Sequence, residues 1–530
     1  MSDTSSSSKT HLPKGSACMN CRRRKIKCDG LRPVCSPCSS SDAFRDCEYV
    51  ERGTSSKTQA LEAQIAVLEN RIQELEQQTG PAHCLENTYQ SHQSTRLDFS
   101  QFHHFHDSQC TQFLSDNFGF LTFCSAPTDP FSFQLHEIIN PISLRSFLHH
   151  CSEIGFFLDQ ARFADSATLP NVMKPSAALL STAYLWGIHL SDSGEILAYE
   201  EVFLARALQS TAQELSSSHP QRIIQCIQAE VLLAHYFFRK ARMLEGRYHT
   251  CSAVSLVLSA RLHKIRSVEG GGPSVLPPPT DYIEEGERIK AFWTVFILDN
   301  CWTTADGSPS NFLCTSPDSR IDLPWPLDTQ IQFPRNYRTS HTIQRFLANQ
   351  NEDHGTSALA LHAKASVLFE QASRVGPRFR MPQQEASRFF ASFTSMERVI
   401  QSFIESLSSV QATPASNAPS PSFMTHILAH ASMIQLHAPF LSRNPASRGR
   451  ILSHSRAAIQ VLGNVNVSST PFLDSFIGVL WGIIAEILIK ESRSSTSASE
   501  PTRLLGEIMA LMSAAGPQSP FISEVFITMR

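Results

Sequence analysis

The sequence predicts a mostly α-helical protein in three parts: a small metal-built N-terminal module, a short parallel coiled coil and a large all-α domain. Three observations carry this expectation. Six cysteines lie between Cys18 and Cys47, and the other eight are scattered. Apolar residues then follow at spacings of 4, 3, 4 and 3 from Leu61 to Leu75. From about residue 131 to 492 they recur at helical intervals, with no alternating strand series and no fixed-period repeat.

Bulk properties set the frame. A chain of 530 residues is long for one ordinary domain, so two or three units are expected. A hydrophobic fraction of 42% suffices for a large core. The net charge of −3 means that any nucleic-acid binding must rest on local charge. The opening MSDTSSSSKTHLPKG has no apolar signal core. The most apolar run, Phe476 to Ile489, contains Glu486 and is shorter than the roughly 18–20 residues of a membrane span. No membrane partner is expected. The expected intracellular setting keeps thiols reduced and favours metal over disulfides for clustered cysteines.

Residues 1–15 are Ser-rich and expected to be disordered. Residues 16–50 form the cysteine module. Cys18, Cys21 and Cys28 give C-x2-C-x6-C, and Cys35, Cys38 and Cys47 give C-x2-C-x8-C. So short a segment, with few large apolar residues, cannot close on apolar burial, and a metal must replace the core. Two zinc ions with four tetrahedral ligands each need eight bonds, which six cysteines supply if two of them bridge. Both ions are then saturated with thiolate, so the site is structural and not catalytic. An iron–sulfur cluster of four cysteines would leave two over.

Charge separates the two halves. Between Lys14 and Cys47 lie eight basic residues: Lys14, Arg22, Arg23, Arg24, Lys25, Lys27, Arg32 and Arg45. Three are acidic: Asp29, Asp42 and Asp46. Two zincs with six thiolates lower the resulting +5 to +3. Five of the cations fall between Cys21 and Cys28, whereas Ser39 to Asp46 holds only Arg45. The first half is therefore the one suited to a major groove of double-stranded DNA, where long cations reach phosphates and the guanine O6 and N7 acceptors. A protein- or RNA-binding zinc module is the alternative, but only Phe44 and Tyr49 are near enough for base stacking. A basic run alone can also serve nuclear import.

Residues 51–57 read as a linker and 58–79 as the coiled coil. Ile65 and Ile72 take a positions, and Leu61, Leu68 and Leu75 take d positions, a pattern that favours a parallel two-stranded coil and hence a homodimer. Arg71 at g and Glu76 at the following e can bridge the chains, and Gly80-Pro81 ends the helix. Residues 80–130 form a Phe-rich linker that either binds a partner or packs on the next domain. In the helical domain, 131–492, Ile223, Ile224, Ile227, Val231 and Tyr236 fit one helix face. Ile289, Phe292, Trp293, Phe296 and Ile297 fit another. Gly, Pro and Ser concentrate at 269–280, 305–345 and 411–422, which read as breaks. Residues 493–530 read as a Ser-rich gap followed by a last helix, Leu504 to Ala515. No G-x-S-x-G, Walker A or H-E-x-x-H motif is present. His149, His150 and Cys151 are adjacent, so on a helix they point apart and read as part of a core face. A non-enzymatic scaffold that takes a small-molecule effector or a coregulator is the expectation.

CMNCRRRKIKCDGLRPVCSPC, closing at Cys47, resembles the fungal zinc binuclear cluster transcription factors. All six cysteines, the basic run, Asp29 and Arg32-Pro33 match that pattern. The resemblance implies that Cys18 and Cys35 are the bridging ligands. It implies that Arg24 and Lys25 face the bases of a CGG-type triplet, while Arg22, Arg23, Lys27 and Arg32 hold phosphates. Pro33 would shape the loop between the halves. Helix 283–300, Gly307-Ser308-Pro309, Ile321 to Pro324 and Leu436 to Leu441 are similar to the fungal-specific regulatory domain of the same factors. Arg261-Leu262-His263 departs from that family's usual Gly-Leu-His, and no acidic C-terminal tail is present. The family implies a nuclear regulator of RNA polymerase II transcription that binds paired triplets as a dimer. Residues 48–60 would set the spacing of the half-sites.

Overall fold

The computed structural model describes residues 16–40, 47 and 49. From 130 onward it describes the chain except 170–172, 270–275, 313–319, 329–330, 351–354, 376–385, 409–421, 462–466, 468–471, 495–498 and 530. The coiled-coil positions Leu61, Ile65, Leu68, Ile72 and Leu75, and the Phe-rich stretch up to 129, lie outside the described residues. The chain divides into two compact units, Met1–His92 and Gln93–Arg530. Each is described by itself.

Among its described residues the first unit holds two short helices, α1 (Met19–Arg23) and α2 (Ser36–Ser39). Both begin immediately after a cysteine, with Cys18 and Cys35 as the N-cap residues. Helices of 5 and 4 residues cannot sustain themselves by propagation, so their ends must be fixed by side chains.

The second unit is helical throughout its regular elements. They are α3 (Pro130–His150), α4 (Gln160–Thr168), α5 (Ala177–His189), α6 (Gly194–Leu197), α7 (Glu200–Glu214), α8 (Arg222–Arg239) and α9 (Met243–Ser259). After a long connection come α10 (Tyr282–Asp306), α11 (Thr342–Leu347), α12 (Ala358–Val375), α13 (Ala386–Ser408), α14 (Ser422–His437) and α15 (Pro445–Gln460). The last three are α16 (Phe476–Ser494), α17 (Ser499–Ala515) and α18 (Pro520–Met529). Among the described residues the only β feature is an isolated bridge between Ser267 and Thr339.

Sequence neighbours pack as pairs: α8 on α9, α14 on α15 and α16 on α17. Longer-range contacts join α3 to α5, α5 to α7 and α8, and α12 to α10 and α14. The faces read from the sequence are buried. Ile224, Ile227, Val231 and Tyr236 of α8 are in the core, with Ile223 half-buried beside them. Ile289, Phe292, Trp293, Phe296 and Ile297 of α10 are buried as well. Each such side chain contributes about 1.5–3 kcal/mol by leaving water. Helix α10 runs six residues beyond the expected 300 and stops at Gly307, whose φ of 75° is the left-handed conformation that glycine adopts most readily. Of His149, His150 and Cys151, only Cys151 is buried.

The Leu262-to-Lys264 turn and the Ile321-to-Pro324 segment meet through a buried carboxylate. Asp322 accepts from Lys264 Nζ at 3.2 Å, Arg320 Nη2 at 2.9 Å, Ser267 Oγ at 3.0 Å and the His341 backbone N–H at 2.9 Å. Burial alone would raise its pKa, but these partners hold it far below the usual carboxylate range. Trp293 Nε1 donates to Pro324 O at 2.8 Å, which ties the same segment to α10.

The segment 493–530 differs from the expected gap and single helix. It contains two helices, and Leu504, Ile508, Met512, Phe521, Ile522 and Val525 belong to the same apolar core as α8, α10 and α16. The ring of Phe521 lies 5.5 Å from that of Trp302 on α10. The Ser-rich composition hid this, because only one face of each short helix is apolar.

Truncating Phe521 to Ala should therefore lower the stability of the whole second unit by about 3–5 kcal/mol. Thermal unfolding followed by near-UV dichroism checks this. An unchanged midpoint would mean that α18 is an appendage.

Candidate metal centre

Each Cys-x2-Cys places one sulfur at the N-cap and the other on the first turn of a short helix. Cys18 Sγ accepts the backbone N–H of Cys21 at 3.4 Å. Cys35 stands in the corresponding place before Cys38 on α2. The loop between the halves is held by Asp29, whose carboxylate accepts the N–H groups of Ser36 at 3.1 Å and Leu31 at 3.3 Å. The Arg32–Pro33 peptide in that loop is cis. Cys47 Sγ accepts the Cys35 backbone N–H at 3.3 Å and closes the unit.

The six sulfurs form two sets of four. Cys18, Cys21, Cys28 and Cys35 have all four sulfurs within 4.8 Å of one another, and so do Cys18, Cys35, Cys38 and Cys47. Cys18 and Cys35 belong to both sets. All six are free thiols. Cys18 to Cys35 is 3.6 Å, Cys18 to Cys38 is 3.7 Å and Cys21 to Cys35 is 3.6 Å. Four sulfurs about 2.3 Å from a zinc ion lie about 3.8 Å apart along each tetrahedral edge, so these spacings fit zinc. They are far beyond the roughly 2.05 Å of a disulfide.

The electrostatics of the cluster also call for a cation. Burial raises Cys18 well above the ordinary thiol range and Cys21 to about 12. Burial raises Cys35 too, but hydrogen bonding from the Cys38 backbone and from neighbouring thiols brings it down to about 6. Packed thiols that compete for the same hydrogen bonds cannot all ionise together without positive charge among them. A divalent ion removes this conflict by converting each thiol to a ligating thiolate.

Arg22, Arg23, Arg24, Lys25 and Lys27 are all exposed, on α1 and the turn that follows it. Arg32 is exposed as well, with its guanidinium 5.0 Å from the centre of the Tyr49 ring. Arg23, Lys25 and Lys27 form no ion pair with any described residue. The turn has a defined geometry. The Ile26 N–H donates to Cys21 O at 3.1 Å, and the Lys25 N–H donates to Arg22 O at 3.2 Å. These two bonds make a Schellman cap, whose hinge residue takes a left-handed backbone. Lys25 has a φ of 55° in a place where glycine is more stable. The cap therefore joins the backbone of a cluster cysteine directly to the basic run.

Tyr49 and Asp29 support the cluster. Tyr49 donates from its hydroxyl to Leu31 O at 2.9 Å and lies 3.7 Å from Cys28 Sγ. In the sequence it reads as a stacking aromatic, and its position two residues after Cys47 carries no stronger signal. Asp29 was noted as part of a pattern, but its capping of α2 needs the fold to be seen.

The family described as "Fungal Zn(2)-Cys(6) binuclear cluster domain" matches residues 16–56. The family described as "Fungal specific transcription factor domain" matches residues 144–420, just over half of the chain. Among curated proteins, the abscisic acid cluster transcription factor of Leptosphaeria maculans is 26% identical over 344 residues, covering 57% of this chain and 55% of that protein. The citrinin biosynthesis transcriptional activator of Monascus ruber is 26% identical over 362 residues, covering 59% and 65%. The tropolone cluster transcription factor of Talaromyces stipitatus is 21% identical over 328 residues, covering 55% of each. The chain thus spans less than two thirds of the length of these relatives. No solved structure matches.

Lys25→Gly should keep the turn and the metal while making the module more stable by about 1 kcal/mol, because glycine takes the left-handed backbone freely. Competition of the bound metal against a chromophoric chelator measures this. A variant that surrenders its metal more readily would contradict the assignment of the turn.

Proposed function

We infer that this chain, which belongs to the fungal Zn(2)-Cys(6) binuclear cluster transcription factors, is a nuclear regulator of RNA polymerase II transcription that binds CGG-type triplets in double-stranded DNA as a homodimer. The observation that carries this reading is the sharing of Cys18 and Cys35 between two four-sulfur sets, with an exposed basic run beginning one residue after Cys21. Two zinc ions fit those sets, with Cys18 and Cys35 bridging and Cys21, Cys28, Cys38 and Cys47 terminal. Zinc supplies a rigid, chemically inert tie between the halves.

The protein's own groups then do the reading. Arg24 and Lys25, at the cap of α1, are directed to base edges, where a cation donating to guanine O6 and N7 contributes about 1–3 kcal/mol of discrimination. Arg22, Arg23, Lys27 and Arg32 neutralise phosphates and fix the register. One module covers one triplet, so a longer site requires a second copy. Leu61, Ile65, Leu68, Ile72 and Leu75 are proposed to join the two copies, and residues 48–60 to set the spacing of the half-sites. The relatives are named for abscisic acid, citrinin and tropolone gene clusters or biosynthesis. By that likeness, the proposed targets are genes of one biosynthetic cluster.

Fluorescence anisotropy with a duplex of paired CGG triplets tests the DNA reading. Zinc chelation should abolish the preference for this duplex over random sequence. Lys25→Gly, which leaves the module folded, should weaken specific binding about 10- to 100-fold. Arg22→Ala should lower the slope of log affinity against log salt by about one unit. Equal affinity for paired and random duplexes would sink the proposal.

Dimerisation is tested separately by Leu68→Pro, which breaks the proposed coiled coil at its central d position. Sedimentation should show a monomer of unchanged zinc content that has lost high-affinity binding to paired sites but keeps weak binding to a single triplet. A variant that remained dimeric would move the interface elsewhere.

A further inference from the structure

The second unit contains a partly open cavity of about 810 Å³. Four elements distant in sequence each direct a polar group into it: His235 from α8, Thr294 from α10, His362 from α12 and Asp474 from the turn before α16. Aromatic walls complete it, among them Trp302 and Phe472. A volume of this order suits a small organic ligand, and apolar walls with a few convergent polar groups are the usual make-up of such a site.

The wall nearest His235 is built with care. Gly155 has a φ of +78°, and a Cβ there would lie 2.9 Å from His235 Nε2, so only glycine lets the backbone pass so close to the ring. Gln228 fixes this wall from α8. Its Oε1 accepts the Phe157 N–H at 2.7 Å, and its Nε2 donates to Gly155 O at 3.1 Å.

Neither imidazole is hydrogen-bonded to a described residue, although each lies within the electrostatic reach of Asp474. Both keep accessible surface in the middle of the domain, because that surface faces the cavity. Burial outweighs the pull of Asp474 and holds both rings below the ordinary histidine value, His362 at about 4. Near neutral pH they are therefore uncharged, each with one donor and one acceptor nitrogen. The remaining charged groups around the cavity, Glu153, Asp159, Asp328 and Lys290, together with Asp474, give an excess of negative charge that opposes an anion.

We propose that this cavity is a binding site for a neutral, largely apolar small molecule bearing hydroxyl or carbonyl groups, oriented by His235 and His362. Its role as an effector of transcription rests on the DNA-binding reading above, whereas its binding does not.

The test uses the full chain without DNA, at pH 7, titrated with 2-naphthol, naphthalene and 2-naphthoate and followed by calorimetry. The expected order is 2-naphthol tightest, with naphthalene about tenfold weaker for want of one hydrogen bond, and naphthoate weaker still. The double variant His235→Phe/His362→Phe keeps the ring volume and should bring the naphthol-to-naphthalene ratio to about one. Leu359→Trp fills the cavity from its wall without replacing either imidazole, and should weaken both neutral probes alike. Circular dichroism and thermal midpoints show that each variant is folded. The proposal is overturned if the unaltered chain binds none of the probes saturably, if naphthoate binds best, or if the double variant retains the preference for naphthol. If binding holds while the anisotropy test fails, the site stands and only the effector role is lost.

Discussion

Everything proposed for the N-terminal unit depends on two thiols serving two tetrahedra at once. Among its described residues the module has helices of only 5 and 4 residues and a buried centre made of cysteines, too little for helical cooperativity or apolar burial to hold it. Cys18 and Cys35 stand where both four-sulfur sets overlap, and each is also the residue from which a helix starts. Fixing those two sulfurs therefore fixes both helix origins. The consequence travels along α1 to the Schellman cap, where the carbonyl of Cys21 accepts from Ile26 and orients the basic run. Coordination, local backbone and the exposed basic side chains form one continuous chain of cause.

The second unit is stabilised by different physics. Its helices are held by the burial of large side chains such as Trp186, Trp293 and Trp481, whose areas dominate the hydrophobic contribution. Several charged and polar groups in that interior are matched by partners. Asp322 is matched by Lys264, Arg320, Ser267 and a backbone N–H, and Asn300 donates to Ser366 O at 2.8 Å. The two imidazoles differ from these in lining a cavity, together with Thr294 and Asp474, where a ligand could meet them.

Legibility in the sequence followed the range of the interaction. The cysteine spacing was informative because tetrahedral coordination demands closely placed thiols, and the charge asymmetry needed only counting. The periodicity of Ile289 to Ile297 revealed α10, since a helix face is a local property. Contacts between distant residues left no such trace. Lys264 and Asp322 are 58 positions apart, and nothing local marks them as a pair. The left-handed backbone of Lys25 was hidden because lysine is an unusual residue for that turn. His235, His362 and Asp474 come together only through the packing of α8, α12 and the turn before α16. The helices of 499–529 were partly concealed by a Ser-rich approach that resembles a linker.

X-ray absorption at the zinc edge, on the full chain, addresses the shared thiolates most directly. Two zinc ions bridged by Cys18 and Cys35 require a shell of four sulfurs at about 2.3 Å around each ion, with no lighter ligand. They also require scattering from a second zinc just beyond that shell. A nitrogen or oxygen in the first shell, or the absence of a neighbouring zinc, would contradict the sharing of thiolates on which the proposed DNA-reading geometry depends.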